Sequence, residues 1–194
     1  WKGYHADNST GGMSKASILP IAERGIVGRG VLLDMARYKG KFSLDKEDSL
    51  DLNDIKGCAE KQGVTIEKRD ILCLRIGFLQ NLWRQGKRGF DKEFKEPGLC
   101  YSPERGNWFH ETGITCLSTD TIGNECTIDP NNGMMIPPHG ALMRNLGVIF
   151  NEICNFEALA DDCHADGQWD FLYTGGPIKV VDGCGAPINP VIIK

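Results

Sequence analysis

The stretch PPHGALMRNLGVIFNE, residues 137–152, combines a short helical segment with a short strand on either side of a glycine. A helix of about 8 residues at ~1.5 Å each is ~12 Å long, and a strand of about 5 residues at ~3.3 Å each is ~16 Å long. If Gly147 reverses the chain, the strand returns beside the helix and brings Glu152 close to His139. A neutral imidazole beside a carboxylate suits a divalent metal such as zinc or manganese. The plainer alternative is that His139 caps a helix after two prolines and Glu152 lies in water at a strand end.

The hydrophobic pattern on both sides of this stretch predicts strands that alternate with helices. Strands are predicted at residues 30–36, 71–76, 114–118, 171–174, 178–181 and 191–193. Helices are predicted at residues 53–62 before Gly63, at 103–112 between a Ser102 cap and Gly113, and after a cap at Asn155. Residues 124–138 are rich in Gly, Pro and Asn and form a long loop, a feature that is often functional. This order of elements indicates a mixed α/β domain.

Length and composition are typical of one ordinary globular domain. The chain has 194 residues, 41% of them hydrophobic and 25% charged, with a net charge of -4 that argues against a nucleic-acid partner. No apolar run approaches the ~18 residues that a membrane span needs, and no signal pattern opens the chain. We therefore expect a cytoplasmic protein without a membrane partner. The eight cysteines are scattered without a C-x-x-C pair, which favours buried reduced thiols over disulfides.

Five segments resemble, in order and at similar spacing, the metal-dependent cyclase/hydrolase family that includes kynurenine formamidase (arylformamidase). They are residues 26–34 (IVGRGVLLD), 69–77 (RDILCLRIG), 113–125 (GITCLSTDTIGNE), 139–152 (HGALMRNLGVIFNE) and 183–190 (GCGAPINP). The match is closest to the branch described as putative cyclases. The resemblance implies a mixed β-sheet flanked by helices in a swivelling-domain architecture. It also implies a homo-oligomer.

The same resemblance implies a metal-dependent hydrolase that acts on a small-molecule formamide, cyclic amide or lactone. It implies that His139 and Glu152 bind the catalytic zinc or manganese ion, and that Glu152 also orients a water molecule. The family's main motif, His-x-Gly-Thr-His-x-Asp, supplies further ligands and the acid/base group, and it lies upstream of every matched segment. His5-Ala6-Asp7 lacks the context of that motif.

We therefore expect residues 1–194 to form a single cyclase-like domain that is truncated at its N-terminus. Such a chain should expose apolar surface where the rest of the domain packs. A metal-dependent amidohydrolase then requires that the missing ligands are supplied from elsewhere. The alternative function is a non-catalytic remnant or subunit that has lost its metal motif.

Asp120 is the second catalytic candidate because it follows the predicted strand at residues 114–118. Ligands of α/β sheets bind at the carboxyl ends of strands. The alternative is that Asp120 caps a turn before Thr-Ile-Gly. Glu125, in the adjacent loop, has the same two interpretations. The chain has neither a Gly-x-Ser-x-Gly elbow nor a Gly-x-Gly-x-x-Gly turn after a strand, so a serine hydrolase and a dinucleotide-binding protein are disfavoured.

Overall fold

A computed structural model describes residues 12–13, 15–86 and 95–194 of the chain. The strands are β1 (Ile26–Asp34), β2 (Ser49–Leu50), β3 (Ile71–Arg75), β4 (Gly98–Leu99), β5 (Cys116–Thr119), β6 (Ile149–Asn151), β7 (Asp170–Gly175) and β8 (Val191–Ile193). The helices are α1 (Leu19–Arg24), α2 (Met35–Tyr38), α3 (Leu52–Gln62), α4 (Phe78–Gln85), α5 (Pro103–Thr112) and α6 (Glu157–Asp166), and a π-helix spans His139–Arg144. The sequence positions of His5 and Asp7 lie outside the described residues.

The main sheet has six strands in the order β6-β5-β3-β1-β7-β8. The strands β6, β5, β3 and β1 are parallel to their neighbours, whereas β7 is antiparallel to β1 and β8 is antiparallel to β7. Four parallel strands therefore end at one side of the sheet, which we call the carboxyl edge. The short strands β2 and β4 form a separate parallel pair. The predicted class, a mixed sheet flanked by helices, is confirmed.

Both faces of the central strands are covered, because alternate side chains point to opposite sides of a sheet. On one face, Val31, Leu72 and Leu117 pack in one cluster with Ile55 of α3, Phe109 of α5 and Leu142 of the π-helix. On the other face, Leu32, Cys73 and Cys116 pack in a second cluster with Ala160 and Cys163 of α6. Burial on both sides explains why these strands are continuous apolar runs in the sequence. Cys184 is exposed and the other seven cysteines are buried free thiols, as the composition predicted.

The predicted C-terminal end of α3 and both predicted ends of α5 are confirmed by their caps. Gly63 closes α3 with φ of 70° in the left-handed region, whereas a capping box at Asp51, which the sequence analysis did not identify, opens α3 one residue before the predicted start. The Ser102 hydroxyl accepts a hydrogen bond from the Arg105 backbone N–H at 3.1 Å to open α5, and Gly113 closes it with φ of 62°. None of the helices in the described part of the chain is long and apolar enough to cross a membrane.

Three predicted elements differ from the structure. The strand predicted at residues 30–36 ends at Asp34, because the Asp34 side chain caps a short helix that begins with the next residue. Residues 178–181 form no strand, because pairing with the neighbouring segment is limited to an isolated bridge between Pro177 and Ile188 and to one bond from the Ile178 N–H to the Pro187 carbonyl at 3.0 Å. The helix α6 begins at Glu157 instead of directly after Asn155, whose side chain accepts from the Glu157 backbone N–H at 3.3 Å.

A row of exposed aliphatic side chains lies on β1, β7 and β8. Val27, Leu172, Val191 and Ile193 are all at least 46% exposed. Leu172 lies beside Ile193 in the ladder of β7 and β8, so two of these side chains are direct cross-strand neighbours. This part of the sheet therefore presents an exposed apolar surface.

The side chain of Gln62 pairs with the last residues of β1 where no strand lies beside them. The strand β7 pairs with β1 only as far as Val31, so the last residues of β1 lack a strand neighbour on that side. The Gln62 amide fills this position, since its Nε2 donates to the Leu32 carbonyl at 2.7 Å and its Oε1 accepts from the Asp34 N–H at 2.8 Å. The Leu32 carbonyl and the Asp34 N–H thereby have hydrogen-bond partners without a neighbouring strand.

A buried arginine joins three elements at the carboxyl edge. Arg75, at the end of β3, is 2% exposed. Its Nη1 donates to Asp34 Oδ1 at 2.9 Å, and its Nε and Nη2 donate to the two carboxylate oxygens of Glu157, each at 2.9 Å. A bidentate guanidinium–carboxylate pair has a strict geometry, so this arginine fixes the start of α6 relative to β1 and β3.

We predict that Arg75→Met destabilises the protein strongly. The substitution removes the close cation from the buried Asp34 carboxylate and leaves only the longer ion pair with the more exposed Arg37, at 3.5 Å. Breaking a buried pair costs about 3–5 kcal/mol. The free energy of unfolding from urea denaturation measures the effect. Lys39→Met removes a more exposed partner of Asp54 and serves as the control, with a several-fold smaller loss. Equal losses in the two variants would contradict the role assigned to Arg75.

Candidate functional site

The predicted proximity of His139 and Glu152 is confirmed. The π-helix begins at His139, Gly147 takes a φ of 77°, and β6 leads to Glu152 at the carboxyl edge. His139 Nε2 then lies 3.6 Å from Glu152 Oε1. Their side chains are 27% and 35% exposed, respectively, so this pair of donors faces a region that solvent can reach.

Glu125 completes the arrangement from the protein interior. Its fully buried carboxylate bonds His139 twice through the same oxygen, since Oε1 accepts from the His139 backbone N–H at 2.8 Å and also bonds the ring Nδ1. The imidazole packs edge-on against Phe150, with ring centroids 4.8 Å apart and planes at 78°. Together these contacts fix the ring with Nε2 directed towards Glu152.

The two carboxylates change the ionisation of His139. Hydrogen bonds with Glu125 and then Glu152 raise the pKa of His139 to about 9, and burial opposes this rise. Burial raises the pKa of Glu125, although its hydrogen bond with His139 acts in the opposite direction. In the absence of a metal ion, the two carboxylates therefore favour the protonated form of the His139 ring.

Asp120 uses its carboxylate to close a turn. It is 2% exposed, and its Oδ1 and Oδ2 accept hydrogen bonds from the backbone N–H groups of Ile76 and Gly77, both at 2.7 Å. These bonds tie the end of β5 to the turn between β3 and α4. Burial raises the pKa of Asp120 to about 6. The structure thus places Asp120 at the predicted edge of the sheet with both oxygens engaged by the backbone, and its catalytic role stays a prediction.

Glu96 also accepts a backbone hydrogen bond that closes a turn, and the sequence analysis did not identify it. It is 2% exposed, and its Oε1 accepts from the Ile122 backbone N–H at 2.6 Å. Burial raises its pKa to about 7, and the charge of Glu152 adds to the rise. Because Glu96 follows a segment without clear periodicity, no spacing rule connects it to the loop that it supports.

The donors fit part of a metal site. An imidazole nitrogen whose other ring nitrogen is held by a carboxylate is the usual form of a histidine ligand, and a carboxylate oxygen beside it suits zinc or manganese. Glu125 Oε2 is buried and has no hydrogen-bond partner within the described residues, so the acidic pocket around His139 is not fully neutralised. Catalytic zinc normally has three protein ligands, and residues 12–13, 15–86 and 95–194 contain no group of three that could hold an ion.

We predict that Glu125→Gln lowers the pKa of His139, measured by NMR titration of its ring protons without metal. Replacing the carboxylate removes the strongest interaction that favours the protonated ring. Glu152→Gln is the matched variant and should lower the pKa by less, because its contact is longer. A pKa that is unchanged in Glu125→Gln would show that this bond does not hold the ring in solution.

We predict that the free energy of unfolding of Glu96→Gln rises relative to that of the wild type as the pH increases. The folded-state pKa of about 7 exceeds the ordinary value of 4.5, so the folded wild type retains a proton that the unfolded chain loses between these pH values. Wild-type stability therefore falls across this window relative to the variant, by on the order of 3 kcal/mol. Urea unfolding of both proteins in a chelator-containing buffer at pH 4.5, 6 and 8 measures the difference. A difference that does not depend on pH would contradict the raised pKa.

Comparisons with known proteins agree with this architecture. A crystal structure of a novel cyclase superposes with a TM-score of 0.79 at 29% identity, over 92% of this chain and 56% of that chain. Isatin hydrolase A from Labrenzia aggregata, bound to benzyl benzoate, has a TM-score of 0.65 at 19% identity, over 92% of this chain and 66% of that chain. A predicted metal-dependent hydrolase from Bacillus stearothermophilus has a TM-score of 0.59 at 17% identity, over 93% and 69%.

The chain thus spans a little over half of the novel cyclase and about two thirds of the isatin hydrolase. No curated protein matches it. The family model described as Putative cyclase matches residues 4–125, which is more than half of the chain and includes β1, β3, β5 and Glu125. The chain therefore belongs to the Putative cyclase family.

Proposed function

We propose that the chain belongs to a metal-dependent hydrolase that cleaves a C–N amide or lactone bond in a small molecule. The observation that carries this proposal is the arrangement of His139, whose ring is held by Glu125 and whose Nε2 faces Glu152. Membership of the cyclase family supports the reaction class. The fold shared with an isatin hydrolase and with a metal-dependent hydrolase is consistent with it.

In this proposal His139 and Glu152 hold a zinc or manganese ion, and Glu125 fixes the ring of His139 from behind. A bound ion of this kind lowers the pKa of a coordinated water and polarises a substrate carbonyl. Glu152 is the most exposed of the three side chains, and Asn124 Nδ2 lies 3.4 Å from its Oε1. Its carboxylate can therefore accept a hydrogen bond from a water molecule while Asn124 limits its rotation.

The catalytic role proposed for Asp120 is indirect. Both of its oxygens accept backbone hydrogen bonds and the side chain is 2% exposed, which favours a role through the backbone over direct contact with a substrate. We propose that Asp120 acts by holding the turn at Ile76 and Gly77 against the carboxyl edge. This turn borders the same edge of the sheet as Glu152.

The proposed substrates are those of the wider family, with an aryl formamide such as N-formylkynurenine and a cyclic amide as the first candidates. In this proposal the remaining metal ligands come from outside the described residues, among which no group of three side chains could hold an ion. A further stretch of polypeptide or a second copy in a homo-oligomer would supply them. A non-catalytic subunit is the second candidate function, and the small number of donors within the described residues is the observation that favours it.

Metal titration tests the proposal. We expect calorimetry with zinc and with manganese to detect one site in the purified protein, and His139→Ala to abolish it. Glu125→Gln should weaken binding by about 10–100-fold, because the loss of an outer partner disorients the ligand ring. His110→Ala changes an exposed histidine of α5 and is the control, with unchanged affinity.

The same proteins are then assayed for hydrolysis of N-formylkynurenine and isatin. Metal binding that depends on His139, together with metal-dependent hydrolysis, supports the hydrolase. Metal binding without turnover of any formamide, cyclic amide or lactone would favour the non-catalytic subunit. Equal metal affinity in wild type and His139→Ala would contradict the site itself.

A further inference from the structure

A cavity lies at the end of β1, where the last residues of this strand have no strand beside them. Its volume is about 370 Å³, which is within the range of roughly 300–1,000 Å³ that small-molecule sites occupy. The end of α3 forms one wall, α2 a second, and the junction of α6 with β7 a third. Because β3 and β5 lie between β1 and β6, three strand spacings of ~4.8 Å place the cavity ~14 Å from the strand that leads to Glu152. The cavity is therefore separate from the proposed metal site.

The walls of this cavity are held by hydrogen bonds to β1. The Trp169 carbonyl accepts from the Leu32 backbone N–H at 2.9 Å, directly after Gly167 ends α6 with φ of 75°. On the opposite side, the Gln62 amide bonds the backbone of both Leu32 and Asp34. The wall from α3 and the wall before β7 are thus attached to the same strand, so the cavity is preformed, as small-molecule sites usually are.

Two aromatic side chains supply much of the apolar surface of the cavity. Tyr38 is half-buried, whereas Trp169 is only 8% exposed. The indole N–H of Trp169 donates to no acceptor within the described residues, yet it is not sealed from solvent. Since Trp169 is otherwise buried and lines the cavity, this N–H is a hydrogen-bond donor that a ligand can use.

The carboxylate in the lining is already neutralised. The charged lining residues are Asp34, Arg37 and Lys61, and the exposed ring of His164 lies beside them. Asp34 Oδ1 accepts from Arg75 at 2.9 Å, and Asp34 Oδ2 lies 3.5 Å from Arg37 Nη1. Asp34 is 2% exposed, so its charge is directed to these two arginines and not into the cavity.

Lys61 is the cation of the lining that has no acidic partner. Its Nζ lies 5.6 Å from the ring centroid of Tyr38, and no carboxylate within the described residues forms an ion pair with it. Its charge also acts on Cys58 in the cavity wall: burial and then Asp34 raise the pKa of this thiol to about 12, and Lys61 opposes the rise. The cavity therefore combines aromatic surface with an unpaired ammonium group.

We propose that this cavity binds a small aromatic carboxylate. The carboxylate accepts hydrogen bonds from the Lys61 ammonium and the Trp169 indole N–H, both of which can only donate. The ring of the ligand packs against Trp169 and Tyr38, whose faces are otherwise open to the cavity. A single unpaired cation suits one carboxylate better than two. This inference stands independently of the proposed hydrolase function.

NMR titration tests the proposal with 3-phenylpropionate as the probe. We expect a saturable shift of the assigned indole N–H resonance of Trp169 at neutral pH. The amide 3-phenylpropionamide has the same ring without the charge and should bind about tenfold more weakly. Propionate, which has the charge without the ring, should cause no saturable shift over the same range. The absence of a saturable shift with 3-phenylpropionate, or equal affinity for the acid and its amide, would overturn the proposal.

Variants separate this cavity from other sites. Lys61→Met should weaken binding of 3-phenylpropionate by roughly 3–10-fold, because a partly exposed charged partner is lost. Lys56→Met removes another exposed lysine of α3 that does not line the cavity, and its affinity should equal that of the wild type. His139→Ala should also bind the probe as the wild type does. Equal affinity in Lys61→Met, or loss of binding in folded His139→Ala, would show that the probe binds elsewhere.

Discussion

The carboxyl edge of the four parallel strands must be closed by buried carboxylates, and the rest of the structure depends on this closure. Turns that leave a parallel sheet present backbone N–H groups that no strand accepts, and such groups cannot remain unpaired in the interior. Asp120 accepts two of them at Ile76 and Gly77, and Glu96 accepts another at Ile122. Because these acids are held by the backbone of neighbouring turns, the loop between β5 and the π-helix has a defined path. That path brings Glu125 to His139.

Glu125 contributes both to the fold and to the candidate site. One oxygen bonds both the backbone N–H and the ring of His139, so the same interaction fixes the first residue of the π-helix and the direction of its imidazole. A π-helix is uncommon and often marks functional sites, because its wider turn places side chains where an α-helix would not. Here it leaves His139 Nε2 facing Glu152 across 3.6 Å. A structural role and a role in ligand binding are therefore not separable at Glu125.

The sequence predicts what depends on short-range rules and misses what depends on tertiary contact. The Gly63 end of α3 and the two ends of α5 follow from local residue types, and the approach of His139 to Glu152 follows from segment lengths around one glycine. The bond between Glu125 and His139 crosses a loop of irregular structure, so no periodicity indicates it. Residues 178–181 have the composition of a strand, but Ile178 and Val181 are 59% and 72% exposed, and pairing stops after an isolated bridge between Pro177 and Ile188. An aliphatic run becomes a strand only where a neighbouring segment continues the ladder and its side chains pack against neighbours.

Contacts on two sides hold the same short segment of the chain. Glu125 holds His139 at its start, whereas Pro138, Ala141 and Leu142 form a wall of a small cavity beside Arg105. A helix of six residues has few internal hydrogen bonds, so its position depends mainly on what its side chains contact. Leu142 anchors the segment in the core on the side of α5. The distance between His139 and Glu152 is therefore set by contacts on both sides of the π-helix. A metal site at His139 would therefore be held in place by the packing of the π-helix against α5 and the sheet, and would be more rigid than a site on a loop.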